Sequence, residues 1–148
     1  MIKVREMDIE FCQLYAEGLE AARPPAWQYD EKKPCGVNYR SGILARLYDT
    51  YHRSFRDYRQ EAEDIMARLE LSPSATVIDM GCGTGAFALR AAQRYRTVHA
   101  VDVSAAMLRC AKRKARRLGL RNVEFHQGGF LSYEHKAEPV DAISTVAA

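Results

Sequence analysis

Residues able to do chemistry crowd into Val77-Ile78-Asp79-Met80-Gly81-Cys82-Gly83-Thr84-Gly85, an apolar run carrying an acid and opening into three alternating glycines and a thiol. Glycines at that spacing permit backbone angles closed to other residues and let a ligand touch the main chain. A helix starting directly after them offers free N–H groups and positive potential to a negative ligand group. Asp102 lies 17 residues beyond Gly85, at the end of the next apolar run. A carboxylate there accepts hydrogen bonds from both hydroxyls of a ribose. Together these features describe a nucleoside-binding crevice at the carboxyl ends of adjacent strands. Read as Gly81-x-Gly83-x-x-Ala86, the loop also satisfies a dinucleotide fingerprint, which keeps an NAD(P)-dependent oxidoreductase as one reading.

The elements that must position these residues follow from periodicity. Residues 75–80 form a buried strand, 81–85 a loop and 86–95 an Ala-rich helix. A second strand covers 98–103. Ser104 is a good N-cap for a helix reaching about Leu118, which Gly119 ends. Third and fourth strands cover 122–126 and 142–146. Strands that are apolar throughout and alternate with helices indicate α/β architecture with a doubly wound, Rossmann-like parallel sheet. Upstream, residues 6–22 have helical spacing that Arg23-Pro24-Pro25 ends. Residues 24–40 read as an irregular connection. From Ser41 an apolar stripe runs through Leu44, Tyr48, Tyr51, Phe55, Tyr58, Ala62 and Leu69 to the stop at Ser72-Pro73-Ser74. Two regions follow: an N-terminal helical cap, 1–71, and an α/β core that binds a cofactor, 72–148.

The acid two residues before the first glycine, a third glycine at position 85, and the helical segment before the loop together resemble the class I S-adenosylmethionine-dependent methyltransferases. Their first motif has the form acid-x-Gly-x-Gly-x-Gly. The resemblance covers about Val77 to Val146, with looser similarity near Tyr48-Asp49. It implies that Asp79, Gly81, Cys82, Gly83 and Gly85 meet the amino-acid end of S-adenosylmethionine and that Asp102 binds its ribose. Val103 and Met107 would flank the adenine, as would Gly129 and Phe130; position 129 is glycine where many relatives carry an acid. Thr145 and Val146 would floor the methionine part; Tyr48 and Tyr51 read as helix-packing residues, with a place beside the cofactor as the alternative that the resemblance adds. The implied activity is methyl transfer to a small-molecule acceptor. No catalytic acid or base is marked by the residues. A non-catalytic binding module of the same fold is the remaining alternative.

Composition supports this class without selecting it. The 148 residues are 47% hydrophobic and 28% charged, as in an ordinary folded domain. No apolar run reaches membrane-spanning length, and the charged N-terminus is unlike a signal peptide, so a cytoplasmic protein is expected. The net charge of +3 conceals a local excess: seven of the 22 basic residues lie within 109–121, leaving 15 basic against 19 acidic residues elsewhere. Arg109, Lys112, Arg113, Arg116 and Arg117 form one polar helix face, read as solvated, and nucleic acid is not expected as a partner. Cys12, Cys35, Cys82 and Cys110 form no C-x-x-C pair. His52, His99, His126 and His135 show no ligand spacing, and no metal is expected. Finally, four strands are fewer than the seven of the resembled family. The chain is therefore expected to be the N-terminal part of a longer protein, with its last strand an apolar edge prone to pairing.

Overall fold

The computed structural model describes residues 57–145. The expected helices and connection before residue 57, with Tyr48 and Tyr51, lie outside the described residues, as does Val146. Helix α1, Tyr58–Leu69, begins where Asp57 Oδ1 accepts from the N–H groups of Arg59 and Gln60 at 3.0 and 3.1 Å. It ends at Glu70, whose φ of 48° is left-handed, before the proline-containing stop.

Four parallel strands follow: β1 Thr76–Met80, β2 Thr97–Asp102, β3 Val123–Gln127 and β4 Ala142–Ser144. Their order in the sheet is β3-β2-β1-β4. The chain builds outward from β1 to β3, then returns across the sheet to place β4 on the other side of β1. That reversal is a topological switch point between β1 and β4, where the carboxyl ends of the strands leave a crevice. β1 is buried along its whole length, Asp79 included, as expected for the central strand of a parallel sheet.

One face of the sheet presents Val77, Val98, Ala100 and Phe125 to α1, to helix α2 at Ala88–Ala91 and to helix α3 at Ala105–Arg117. Met66, Phe87 and Leu108 complete that core. The opposite face carries Ile78, Met80 and Val101, over which Tyr133 and Val140 of the β3–β4 connection pack. Layers on both faces make the doubly wound arrangement expected from the alternation. β4 is an edge strand among the described residues, and its Ile143 is 62% exposed.

The helix expected over 86–95 is shorter, only Ala88–Ala91. Its last turn tightens as Gln93 and Arg94 donate to the carbonyls of Arg90 and Ala91, three residues back. Asn122 Nδ2 then donates to the carbonyls of Ala92 and Tyr95 at 2.8 and 2.9 Å, fixing this turn against the start of β3. α3 matches its expected limits more closely. Ser104 Oγ accepts from Met107 N–H, and Gly119 at φ 69° closes the helix with paired bonds from Gly119 and Leu120 to Arg116 and Ala115.

Candidate functional site

The glycine loop leaves β1 at its carboxyl end and is shaped by its own backbone bonds. Gly81, Gly83 and Gly85 all have positive φ, at 72°, 54° and 85°. Gly85 is closely surrounded, since a Cβ there would sit 3.0 Å from Leu89 Cγ and 3.2 Å from Ala111 Cβ. At Gly83 a Cβ would meet nothing within 4 Å, so its main chain borders open space. The two glycines thus serve different ends, one packing a helix close and the other leaving a surface that a ligand can approach.

Both acids are tied to this loop. Asp102, at the end of β2, accepts from Gly83 N–H through Oδ2 and from Ser104 N–H through Oδ1, each at 2.7 Å. Each carboxylate oxygen has a second lone pair for a further donor. Asp79, 2% exposed, accepts from Ala88 N–H at 3.0 Å. Burial pushes its pKa up to about 7, opposed by the Ala88 N–H and reinforced by the charge of Asp102. Asp102 is also raised by burial, with the Ser104 and Gly83 N–H groups acting against the shift. Two carboxyls in one crevice, both held above their ordinary range, favour a ligand bearing positive charge.

Several amides of the loop and the helix start are spent within the structure. Gly81 and Cys82 both donate to Val101 O, Gly85 donates to Cys82 O, and Ala88 at the start of the four-residue α2 donates to Asp79. These amides hold the loop together. Cys82 is buried, and burial followed by the charges of Asp79 and Asp102 pushes its thiol far up. It is therefore a thiol that fills space rather than a nucleophile.

An open recess lies against the loop, between Asp79, Gly81, Gly83 and Thr84 on one side and Tyr58, Glu61 and Ile65 of α1 on the other. The α1 residues were not among the expected site residues, although their apolar stripe was visible. Lys114 was likewise not singled out; it turns away from the basic face to donate to Thr84 O at 3.2 Å. The five cations of the expected polar face are exposed.

The remaining expected residues cluster less tightly. Val103 is 44% exposed just past Asp102, whereas Met107 is buried with Ala106 and Cys110. Gly129 is buried and donates to Ser132 Oγ at 3.1 Å, and Phe130 beside it is 61% exposed. Gly128 N–H donates to Asp102 O at 3.1 Å, which ties this segment to the end of β2. Thr145 stands exposed after β4, next to Ser144, whose register partner is Asp79.

Comparison with known proteins points one way. The methyltransferase domain family matches residues 77–148. The dTDP-3-amino-3,6-dideoxy-alpha-D-glucopyranose N,N-dimethyltransferase of Streptomyces fradiae is 38% identical over 77 residues, covering 50% of this chain and 30% of that enzyme. A 23S rRNA (uracil(1939)-C(5))-methyltransferase of Alcanivorax borkumensis is 47% identical over 58 residues, covering 39% of this chain and 13% of that one. Among solved structures, geranyl diphosphate C-methyltransferase from Streptomyces coelicolor, in complex with S-adenosyl-L-homocysteine, superposes with a TM-score of 0.53 at 30% identity. That match covers 59% of this chain and 32% of the other. The chain thus spans less than a third of the length of these curated relatives.

Proposed function

Residues 77–148 belong to the class I S-adenosylmethionine-dependent methyltransferases, and from that premise we propose that the protein transfers a methyl group from S-adenosylmethionine to a small-molecule acceptor. The observation that carries the reading is the 2.7 Å bond from Gly83 N–H to Asp102, which ties the glycine loop to the acid of β2 at the carboxyl ends of the adjacent strands β1 and β2. The residues fit the cofactor: Gly83 offers main chain beside open space, Asp102 keeps a spare lone pair on each oxygen, and the buried acid Asp79 suits a cationic partner.

In this reading Asp79, Gly81, Cys82, Gly83 and Gly85 hold the amino-acid end. Asp102 accepts from the ribose hydroxyls; Val103, Met107, Gly129 and Phe130 border the adenine, and Thr145 lies beneath the methionine part. When bound, S-adenosylmethionine supplies a methyl group already made electrophilic by its sulfonium. The chain's task is then to position and to exclude water rather than to move protons. Residues 1–71 are assigned as the cap region, and Tyr58, Glu61 and Ile65 of α1 form its described wall of the crevice.

A small acceptor is favoured because, outside residues 109–121, the 15 basic residues of the sequence are outnumbered by 19 acidic ones. Among the described residues no helix is long and apolar enough to cross a membrane, and we place the protein in the cytoplasm. The test is Asp102→Ala with native circular dichroism. Affinity for S-adenosylmethionine is expected to fall at least tenfold, about 1.4 kcal/mol. Unchanged affinity would contradict the placement of the ribose.

A further inference from the structure

The sheet face opposite the three helices carries a polar cluster that the crevice does not use. Register sets His99 beside Glu124 and Val101 beside His126. The three polar side chains therefore share the face that holds Ile78 and Met80. His99 Nδ1 lies 3.1 Å from His126 Nε2 and 3.5 Å from Glu124 Oε2, and the latter two atoms are 3.9 Å apart. The His99 side chain is 5% exposed, while those of His126 and Glu124 are 34% and 60% exposed. The cluster thus has a buried floor and an open side.

We infer that His99, Glu124 and His126 form a binding site for a divalent transition metal of the zinc class, which clamps edge strand β3 to β2. The three donor atoms already have suitable spacing: a point about 2.1 Å from each of them exists, which matches zinc bonds to imidazole nitrogen and carboxylate oxygen. Two imidazoles with one carboxylate suit zinc and its neighbours, whereas calcium and magnesium favour oxygen ligands. Three protein ligands leave the fourth tetrahedral position for water.

Without metal, one ring nitrogen donates to the other across the 3.1 Å gap. On binding, the donating ring carries its hydrogen on its other nitrogen instead, so that both facing atoms present lone pairs. The wall around the site is fixed. His135 Nε2 donates to Glu138 O at 3.0 Å, so its Nδ1 accepts from Tyr133 Oη, also at 3.0 Å. His135 thereby spends both nitrogens and stands edge-on to His99 at 4.8 Å, while the Tyr133 ring lies 5.2 Å from His126. β3 pairs only with β2 among the described strands. A metal across these strands steadies the strand from which residues 128–130 depart.

The experiment is a titration of the 148-residue chain with Co²⁺ alone, followed by visible absorption, then with Zn²⁺ alone, followed by thermal unfolding. The expected result is a d–d band of tetrahedral intensity that saturates at one Co²⁺ per chain, is displaced by Zn²⁺, and is accompanied by a Zn²⁺-dependent rise in Tm. His126→Ala and Glu124→Gln, both at partly exposed positions and checked by circular dichroism, should each weaken Co²⁺ binding by about 100-fold. A natively folded chain that develops no d–d band overturns the inference. So does intense thiolate-to-cobalt charge transfer with a d–d band unaltered in His126→Ala, because cysteines would then hold the metal. The readouts involve neither S-adenosylmethionine nor methyl transfer, so failure here leaves the proposed activity standing.

Discussion

Replacing Asp79 by asparagine isolates the cost of a buried charge in the crevice. Burial is the main cause that raises this carboxyl from 3.8 to about 7, against the Ala88 N–H and with the charge of Asp102. Between those two values the folded protein holds a proton that the unfolded chain has released. The stability that Asp79 contributes is therefore fully present below about pH 4, is lost as pH rises toward 7, and stays lost above it. A gap of about three pH units corresponds to about 4 kcal/mol as an upper bound. The amide of Asp79→Asn keeps an oxygen to accept from Ala88 N–H, at 3.0 Å in the parent, and cannot ionise. In urea unfolding at pH 8 the variant should be more stable than the parent by up to about 4 kcal/mol, and at pH 4 the difference should shrink to near zero. Asp102 is present in both proteins, so its own titration largely cancels. The same substitution should weaken S-adenosylmethionine binding about tenfold at pH 8 through loss of the negative charge, about 1.4 kcal/mol. A stability difference that stays constant from pH 4 to pH 8 would refute the reasoning.

The loop glycines should separate into two kinds. Gly85→Ala combines a φ of 85° with a Cβ 3.0 Å from Leu89 Cγ and should cost about 2–4 kcal/mol in urea unfolding; a cost below about 1 kcal/mol would mean the loop is not shaped as described. Gly83→Ala meets no neighbour within 4 Å and should cost only about 1–2 kcal/mol while weakening S-adenosylmethionine binding, measured by calorimetry, more than Gly85→Ala does per unit of lost stability. Neutralising Arg113, Arg116 and Arg117, all exposed on α3, should leave folding and cofactor binding unchanged. Loss of a salt-dependent RNA affinity in that variant would move the acceptor class from small molecules to RNA.

Much of the core was legible because β1 and β2 are largely apolar and buried and its punctuation is chemical. Val77–Met80 had to be a buried strand, Ser104 and Gly119 mark the two ends of α3, and the glycines leave few conformations for residues 81–85. What escaped depends on contacts distant in sequence. The length of α2 is set by Asn122, 30 residues beyond Ala92, whose side chain claims the carbonyls of the turn. The engagement of the loop amides by Val101 O depends on how β2 lies against β1. Lys114 stands among basic residues, and only the packing of α3 beside the loop sends it to Thr84 O. His99 and His126 look unrelated in the chain because strand register, not spacing, brings them together.

The central claim is that the crevice formed by Asp79, the glycine loop and Asp102 holds S-adenosylmethionine. It is tested most directly by isothermal calorimetry of the 148-residue chain with S-adenosylmethionine and, separately, with NAD⁺. The account predicts a saturable isotherm with one S-adenosylmethionine per chain, weakened at least about tenfold by Asp102→Ala, and no saturable binding of NAD⁺. Saturable binding of NAD⁺ alone by the natively folded chain would contradict it.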